Sequence, residues 1–328
     1  MSAIFDALPG IDAPVGSISK SLAAMWADTG ARGKPAPGLE EVTASQVNFV
    51  LHLGFRTGPE DALAQFRTAV RFSQRYPSRV VVLCPCLSDT GVTEIRAKVY
   101  GECFLGHNSG EARCCEFVIL TYPRSQRRFL ENQVSVCLSP DLPLYYYAHA
   151  FAQSAALADY RYLMTRSRRV LIDSANAPEG ALSYPWPRPE AVRDLAFARL
   201  VRVRQSIAQF LSRYPAPRLA EGLRAATVAH GGGCAAEGRV LLDWIRDRLG
   251  ACGAAGASYR LEAPAGLPSW GLSVRFDYGK AASRFSWRGD LERGCASIEA
   301  DFGAGRTALE AAVSLPSPEE TLGEAMFR

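Results

Sequence analysis

Two short apolar runs, Phe117 to Tyr122 and Leu144 to Ala148, hold β-branched and aromatic residues at consecutive positions, the pattern of strands buried on both faces. Between them Ser125 to Val136 has helical spacing with Arg on its polar side. A strand, a helix and a strand in this order predict a crossover unit of a mostly parallel sheet, with these two strands near its centre. Pro140 and Pro143 bracket Asp141 and Leu142, and each proline drives its predecessor into extended backbone, so the second strand is entered along a fixed path. Asp141 is placed there to accept hydrogen bonds from nearby backbone N–H groups.

The same reading extends outward. Ser17 is a candidate cap for a helix with Ile18, Leu22, Met25 and Trp26 on one face, ended by Gly30; with the Gly/Pro/Lys stretch Gly30 to Gly38 it forms an arm and linker over residues 1–40, which docks on its own body. Val47 to Leu53 is a first strand, and Thr57-Gly-Pro-Glu60 predicts a capping box opening a helix with Leu63, Phe66 and Val70 inward. Val80 to Cys84 is a buried strand, Val92 to Tyr100 another, and Gly106 to Gly110 a polar loop. Gln153 to Thr165 is helical, and Val170 to Ile172 is a strand ending in Asp173 and Ser174, which places both at a carboxyl edge where open α/β sheets build sites. Four prolines between Ala175 and Pro189 mark a boundary, giving an α/β domain over 41–182 and a second domain over 183–328. That domain opens with one long helix, Ala191 to Leu211, followed by a strand over Arg218 to Ala229 and a helix, Leu241 to Leu249. From Trp270 the period changes to two, predicting an antiparallel meander, before Ser317-Pro-Glu-Glu320 caps a final helix. The fold class is α/β plus α+β.

Composition adds bounds rather than a function. The 328 residues are 48% hydrophobic and 21% charged, with a net charge of +4, which fits a globular chain with room for two cores. The arginine excess favours acidic partner surfaces or phosphorylated ligands, and without a long basic run or an aromatic platform it is no nucleic-acid footprint. No signal peptide and no 18-residue apolar window occur, so a cytoplasmic protein is expected, without membrane contact. Nine cysteines at irregular spacing argue against a disulfide framework and for mostly buried, reduced thiols.

Candidate chemistry is sparse. His230-Gly-Gly-Gly233 has no Gly-x-Ser-x-Gly elbow to serve, and neither a Gly-x-Gly-x-x-Gly nor a Walker loop is present, so a phosphate cradle of either kind is missing. The four histidines, at 52, 107, 149 and 230, show no nucleophile at a recognisable offset. Cys84-Pro-Cys86 and Cys114-Cys115 lack zinc or thioredoxin spacing; if the strands near Cys84, Cys103 and Cys115 are neighbours, their thiols become oxidation candidates, along with Cys86 and Cys114. No metal or cofactor is expected. On the long helix Arg199 takes a core-boundary position with a carboxylate such as Asp173 or Asp194, while Arg193 and Arg204 are the candidates for contact with a partner.

Several of these segments together resemble a known family. Arg71 with Tyr76-Pro77-Ser78-Arg79 before a valine strand, Cys115-Glu116 before a strand, Pro140-Asp-Leu-Pro143 before an aromatic strand and Asp173-Ser174 after one follow in the order found in the glucose-6-phosphate dehydrogenase assembly protein family, OpcA. Asp194-Leu195, Phe197, Arg199-Leu200, Arg204 and Trp244 continue the resemblance, which covers roughly residues 45 to 250. Tyr76 stands where the family usually has His, and Tyr145 to Tyr147 where it tends to have Trp. The resemblance implies a non-enzymatic protein that binds glucose-6-phosphate dehydrogenase, promotes its active oligomer as an allosteric activator and so feeds the oxidative pentose phosphate pathway. It also implies partner contacts among Asp141, Leu142, Asp173, Ser174, Arg193 and Arg204, and redox responsiveness in some relatives. Two alternatives stand beside it: an enzyme or sensor for a phosphorylated sugar at the carboxyl edge near Asp141 and Asp173, with a small phosphorylated effector as its ligand, and a thiol-based switch.

Overall fold

The computed structural model describes residues 3–32, 36, 45–86, 94–105, 112–254, 256–279, 283–303 and 305–328. The chain divides into two compact units, Met1–Asp194 with Pro318–Arg328, and Leu195–Ser317. The expected polar loop 106–110 with His107, and most of the linker, lie outside the described residues.

In the first unit, α1 (Ala3–Ala7), β1 (Ile11–Ala13) and α2 (Ile18–Ala31) precede β2 (Val47–Leu53), α3 (Pro59–Arg75) and β3 (Ser78–Cys86). The hairpin strands β4 (Arg96–Leu105) and β5 (Ala112–Pro123) follow, then α4 (Leu130–Cys137), β6 (Leu144–His149), α5 (Arg161–Arg166), β7 (Arg169–Ile172) and β8 (Val192–Asp194). These strands make one sheet in the order β1-β4-β5-β3-β2-β6-β7-β8, parallel from β5 to β8 and antiparallel at β4 and β1. The two apolar runs of the organising stretch, β5 and β6, are not neighbours: β3 and β2 lie between them. Every residue of β2 and of β6 is buried, as the consecutive apolar pattern requires of strands covered on both faces. One face packs Val50, Val81, Val118 and Tyr146 with Ile18 and Leu22 of α2, so the amino-terminal arm docks on its own sheet. Gly101 leaves the room on β4 that the Trp26 indole fills, since a Cβ there would meet the ring at 2.5 Å.

The second unit begins with α6 (Leu195–Arg199), α7 (Val201–Leu211), α8 (Ala216–Ala220), β9 (Leu223–His230) and α9 (Ala235–Ala251). It continues through β10 (Ser258–Glu262), β11 (Gly271–Tyr278), β12 (Ser283–Asp290), β13 (Cys295–Phe302) and β14 (Thr307–Ala312), which with β9 form a sheet in the order β10-β9-β11-β12-β13-β14. The meander is thus β11 to β14, and β9 continues it on the antiparallel side while β10 adds a parallel edge. The period of two places Leu272, Val274, Phe276, Phe285, Trp287 and Ile298 inward, against Val203, Ile207, Phe210 and Leu241 of the helices. The Trp287 indole N–H donates to Ser206 Oγ at 2.8 Å, which satisfies the one polar atom of the largest buried side chain. The last helix, α10 (Pro318–Phe327), belongs to the first unit.

Three expectations are corrected. The helix predicted over 191–211 is broken: Val192–Asp194 pairs with β7 as an edge strand, and Leu200, with φ −80° and ψ 5°, separates α6 from α7. The first sheet therefore runs past the expected boundary at residue 183, because β8 satisfies its backbone on β7. The segment 218–229 is likewise divided between α8 and β9.

Candidate functional site

Six parallel strands in the order β5-β3-β2-β6-β7-β8 run outward from β2 in one direction and, after the β5–α4–β6 crossover, outward from β6 in the other. This is the strand order of a dinucleotide-binding sheet, and a ligand crevice is expected outside the carboxyl ends of β2 and β6, where the direction reverses.

Here that position is filled by the chain itself. Gly54, just after β2, donates its N–H to the His149 carbonyl at 2.7 Å, and Arg56 donates to the Ala150 carbonyl at 3.4 Å. A Cβ on Gly54 would lie 2.7 Å from Phe151 N and closer still to the Ala150 carbonyl, so only glycine lets the β2 loop rest on the end of β6. Ala150 sits at φ 50°, a left-handed conformation costing a non-glycine residue about 1 kcal/mol or more, and its neighbours hold it there. His149 is 1% exposed; its Nδ1 pairs with Tyr147 OH at 2.8 Å and its Nε2 with Asp61 Oδ2 at 2.7 Å. The hydrogen bond from His149 holds the Asp61 carboxyl below its usual range against a partial burial that pushes it up. Glu60 and Asp61 thus place carboxylates in the first turn of α3, where a dinucleotide-binding helix turns its N–H groups to a pyrophosphate. The predicted capping box is absent: Gly58 is the N-cap, Pro59 opens the helix, and Thr57 Oγ1 is buried without a hydrogen-bond partner.

On the opposite face of the sheet His52 is fully buried between Tyr146 OH, 2.8 Å from Nδ1, and Tyr122 OH, 2.7 Å from Nε2. Tyr122 OH in turn bonds Tyr160 OH at 2.8 Å, and the Tyr160 ring meets the imidazole edge-on with centroids 4.4 Å apart. Burial brings the His52 pKa down to about 3 and pushes Tyr122 and Tyr146 well above their usual value. The imidazole is therefore neutral, one nitrogen donating and the other accepting.

At the amino edge of the sheet, Asn48 of β2 holds the Pro140–Pro143 turn. Its Nδ2 donates to the Ser139 carbonyl at 2.7 Å and the Leu142 carbonyl at 3.1 Å, and its Oδ1 accepts from Ser139 N at 3.1 Å. Asp141 itself is exposed and makes no side-chain hydrogen bond among the described residues, so the role expected of it falls to Asn48. Nothing in the spacing announced Asn48, which sits 91 positions from Ser139. Nearby, Glu116 accepts from Trp26 Nε1 and from Arg79, both at 3.0 Å, joining α2, β3 and β5.

Asp141 and Leu142 precede β6 whereas Asp173 and Ser174 follow β7, which is parallel to it, so the pairs lie at opposite ends of the sheet and share no carboxyl-edge site. Asp173 is 8% exposed and accepts from Ala175 N at 3.1 Å, while Ser174 N–H donates to Asp194 Oδ1 at 3.0 Å. Arg193 lies on the edge strand β8, not on a helix, and donates to the Glu190 and Val192 carbonyls. Arg199 pairs with Glu237 at 2.7 Å. Arg204 stacks its guanidinium 3.6 Å from the centroid of the Phe197 ring.

The cysteines divide by strand register. Cys103 and Cys114 face each other on β4 and β5 and form a disulfide, a pairing hidden in the sequence because the register of the hairpin was not legible. Cys84, Cys86 and Cys115 are buried free thiols; Cys86 Sγ lies 2.8 Å from Thr121 Oγ1, and burial pushes the Cys115 thiol up to about 12, away from the reactive thiolate.

Sheet order and switch point define a doubly wound α/β unit of dinucleotide-fold topology, with the loop after β2 resting on the end of β6 at the switch point. Residues 69–184, from α3 through β7 and beyond, match the OpcA family model, described as the glucose-6-phosphate dehydrogenase subunit N-terminal domain. No protein of curated function matches the chain. Among solved structures it has a slight likeness, at a TM-score of 0.39 and 8% identity, to a mutant of KijD10, a 3-ketoreductase from Actinomadura kijaniata in complex with TDP-benzene and NADP, over 87% of this chain and 92% of that one.

Proposed function

We propose that the chain is a non-enzymatic assembly factor that binds glucose-6-phosphate dehydrogenase and, as an allosteric activator, favours its active oligomer. The family match over residues 69–184 carries this reading. The switch point is consistent with it: Gly54 packs against Ala150, and Glu60 and Asp61 put carboxylates, unfavourable to an anionic cofactor, in the first turn of α3. Activation follows if the chain binds the active dehydrogenase more tightly than the inactive one. The exposed Asp141 with the half-buried Leu142 is a preorganised contact, because Asn48 fixes the loop before a partner arrives and little ordering entropy is lost on binding. Arg204 and Arg193 remain contact candidates, as does Ser174, whose buried Oγ has no partner among the described residues. Asp173, which accepts from Ala175 N in its own turn, stays among the candidates.

Titrating the chain into the dehydrogenase of the same cell, with activity and light scattering followed together, tests this. Activity and oligomer size are expected to rise to saturation while the chain alone turns over no glucose 6-phosphate; unchanged activity and size at excess reject the reading. A second reading, thiol regulation, is supported by the Cys103–Cys114 disulfide. Activation that a dithiol reductant alters in the native chain and leaves unaltered in Cys103→Ser is its expected sign.

A further inference from the structure

The second unit holds a cavity of about 270 Å³ between α7, α8, α9 and β11. Its lining includes Ile207, Leu219, Ile245 and Phe276 together with Ser212 and Tyr214, and the surface these present to it is almost wholly apolar. Trp244 stands half-exposed in the wall, and Arg248, on the same helix and one turn further on, reaches the lining from an exposed position. Neither the Arg248 guanidinium nor the Trp244 indole N–H has a side-chain partner among the described residues. Both donors are open to solvent beside an apolar cavity, free to turn to a ligand there.

A cavity of about 150 Å³ lined by aliphatic and aromatic groups is enough for a benzene ring, so this one suits an apolar body on the order of ten heavy atoms. A sugar phosphate suits it poorly, since most of its hydroxyls would lose water against a surface that is almost wholly apolar. The unpaired guanidinium selects instead for one anionic group at the end of an apolar body, matched in planar geometry by a carboxylate. We infer that this cavity is a binding site for an apolar monocarboxylate, with a medium-chain acyl or aryl body against Phe276 and Ile207 and its carboxylate on Arg248. The site lies within the second unit and stands independently of the proposed dehydrogenase contact.

The test titrates octanoate into the full chain, read by tryptophan fluorescence and by isothermal calorimetry, with octanol as the neutral counterpart. Saturable one-to-one binding of octanoate is expected, at least tenfold tighter than octanol, and Arg248→Gln is expected to abolish that preference. Ala208 lines the cavity from an exposed position, so Ala208→Phe obstructs it without entering the core, and octanoate binding should be lost while the melt is kept. Trp244→Phe should remove the fluorescence response and leave the calorimetric binding. If the folded native chain shows no saturable binding, or if Ala208→Phe binds as well as the native chain, the site is wrong. Equal affinities for octanoate and octanol overturn the carboxylate class.

Discussion

Asn48 is 2% exposed and its amide makes three hydrogen bonds to the Ser139–Leu142 backbone, so truncating it leaves buried backbone groups unpaired. Asn48→Ala is expected to cost about 3 kcal/mol in urea unfolding, while Asp141→Ala, exposed and unbonded, should stay within about 0.5 kcal/mol. A larger loss at Asp141 than at Asn48 would reverse this assignment. His52 gives a second residue-scale expectation with a definite sign. Its folded pKa, about 3, lies below the ordinary 6.5, so the unfolded chain takes up a proton that the folded chain refuses. Stability is then fully present above pH 6.5 and falls as the pH drops toward 3, at a limiting slope of roughly 1.4 kcal/mol per unit. Asp61, held low by His149, adds a loss that sets in as the pH falls past its ordinary 3.8 toward its lowered value. Denaturant melts across the acid range decide it: a curve flat from neutrality to below pH 5 means that His52 is not held neutral.

At the scale of the element, the break at Leu200 changes what two arginines do. Over one unbroken helix, Arg199 and Arg204 are five positions and roughly 140° apart, and only their azimuth separates them. With α6 and α7 distinct, Arg199 is fixed by Glu237, which is 2% exposed, and Arg204 by the Phe197 ring, whose carbonyl it also bonds. Removing one partner of a buried pair strands the other charge, so Arg199→Ala is expected to cost about 3 to 5 kcal/mol. Arg204→Glu loses a cation–π contact at a half-exposed ring and should cost about 1 kcal/mol, more than a free surface arginine would. Thermal melts that rank Arg204 above Arg199 would contradict this ordering.

At the scale of the whole molecule, the first unit is closed by the end of the chain. Leu322 and Met326 of α10 are buried, and the Phe327 ring lies 4.7 Å from Tyr76 and 5.7 Å from Tyr145 by centroids. The second unit, Leu195–Ser317, has its own core, built on Trp287 and its neighbours. Deleting residues 318–328 is therefore expected to lower the unfolding transition of the first unit by several kcal/mol, on the scale of two or three large side chains withdrawn from a core, and to leave that of the second in place. Calorimetry on the shortened chain, beside Leu195–Ser317 expressed alone, separates the two transitions; a single shifted transition would reject independent cores.

The local patterns of the sequence determined the strands Val47–Leu53 and Leu144–His149, the period-two core of β11 to β13 and the docking face of α2, because periodicity reports burial directly. The family segments were equally legible, being consecutive residues. Tertiary structure alone decided what depends on register and on long-range pairing: that β5 and β6 are separated by two strands, that Cys103 meets Cys114, that Asn48 rather than Asp141 holds the proline-bracketed turn, and that residues 192–194 complete a sheet instead of opening a helix. It also decided that Gly54 and Ala150 seal the switch point, since a backbone contact between segments almost a hundred positions apart leaves no periodic mark on either. Short-range energies are written along the chain, whereas the partner of a strand edge or a buried amide is chosen only when distant segments compete for it.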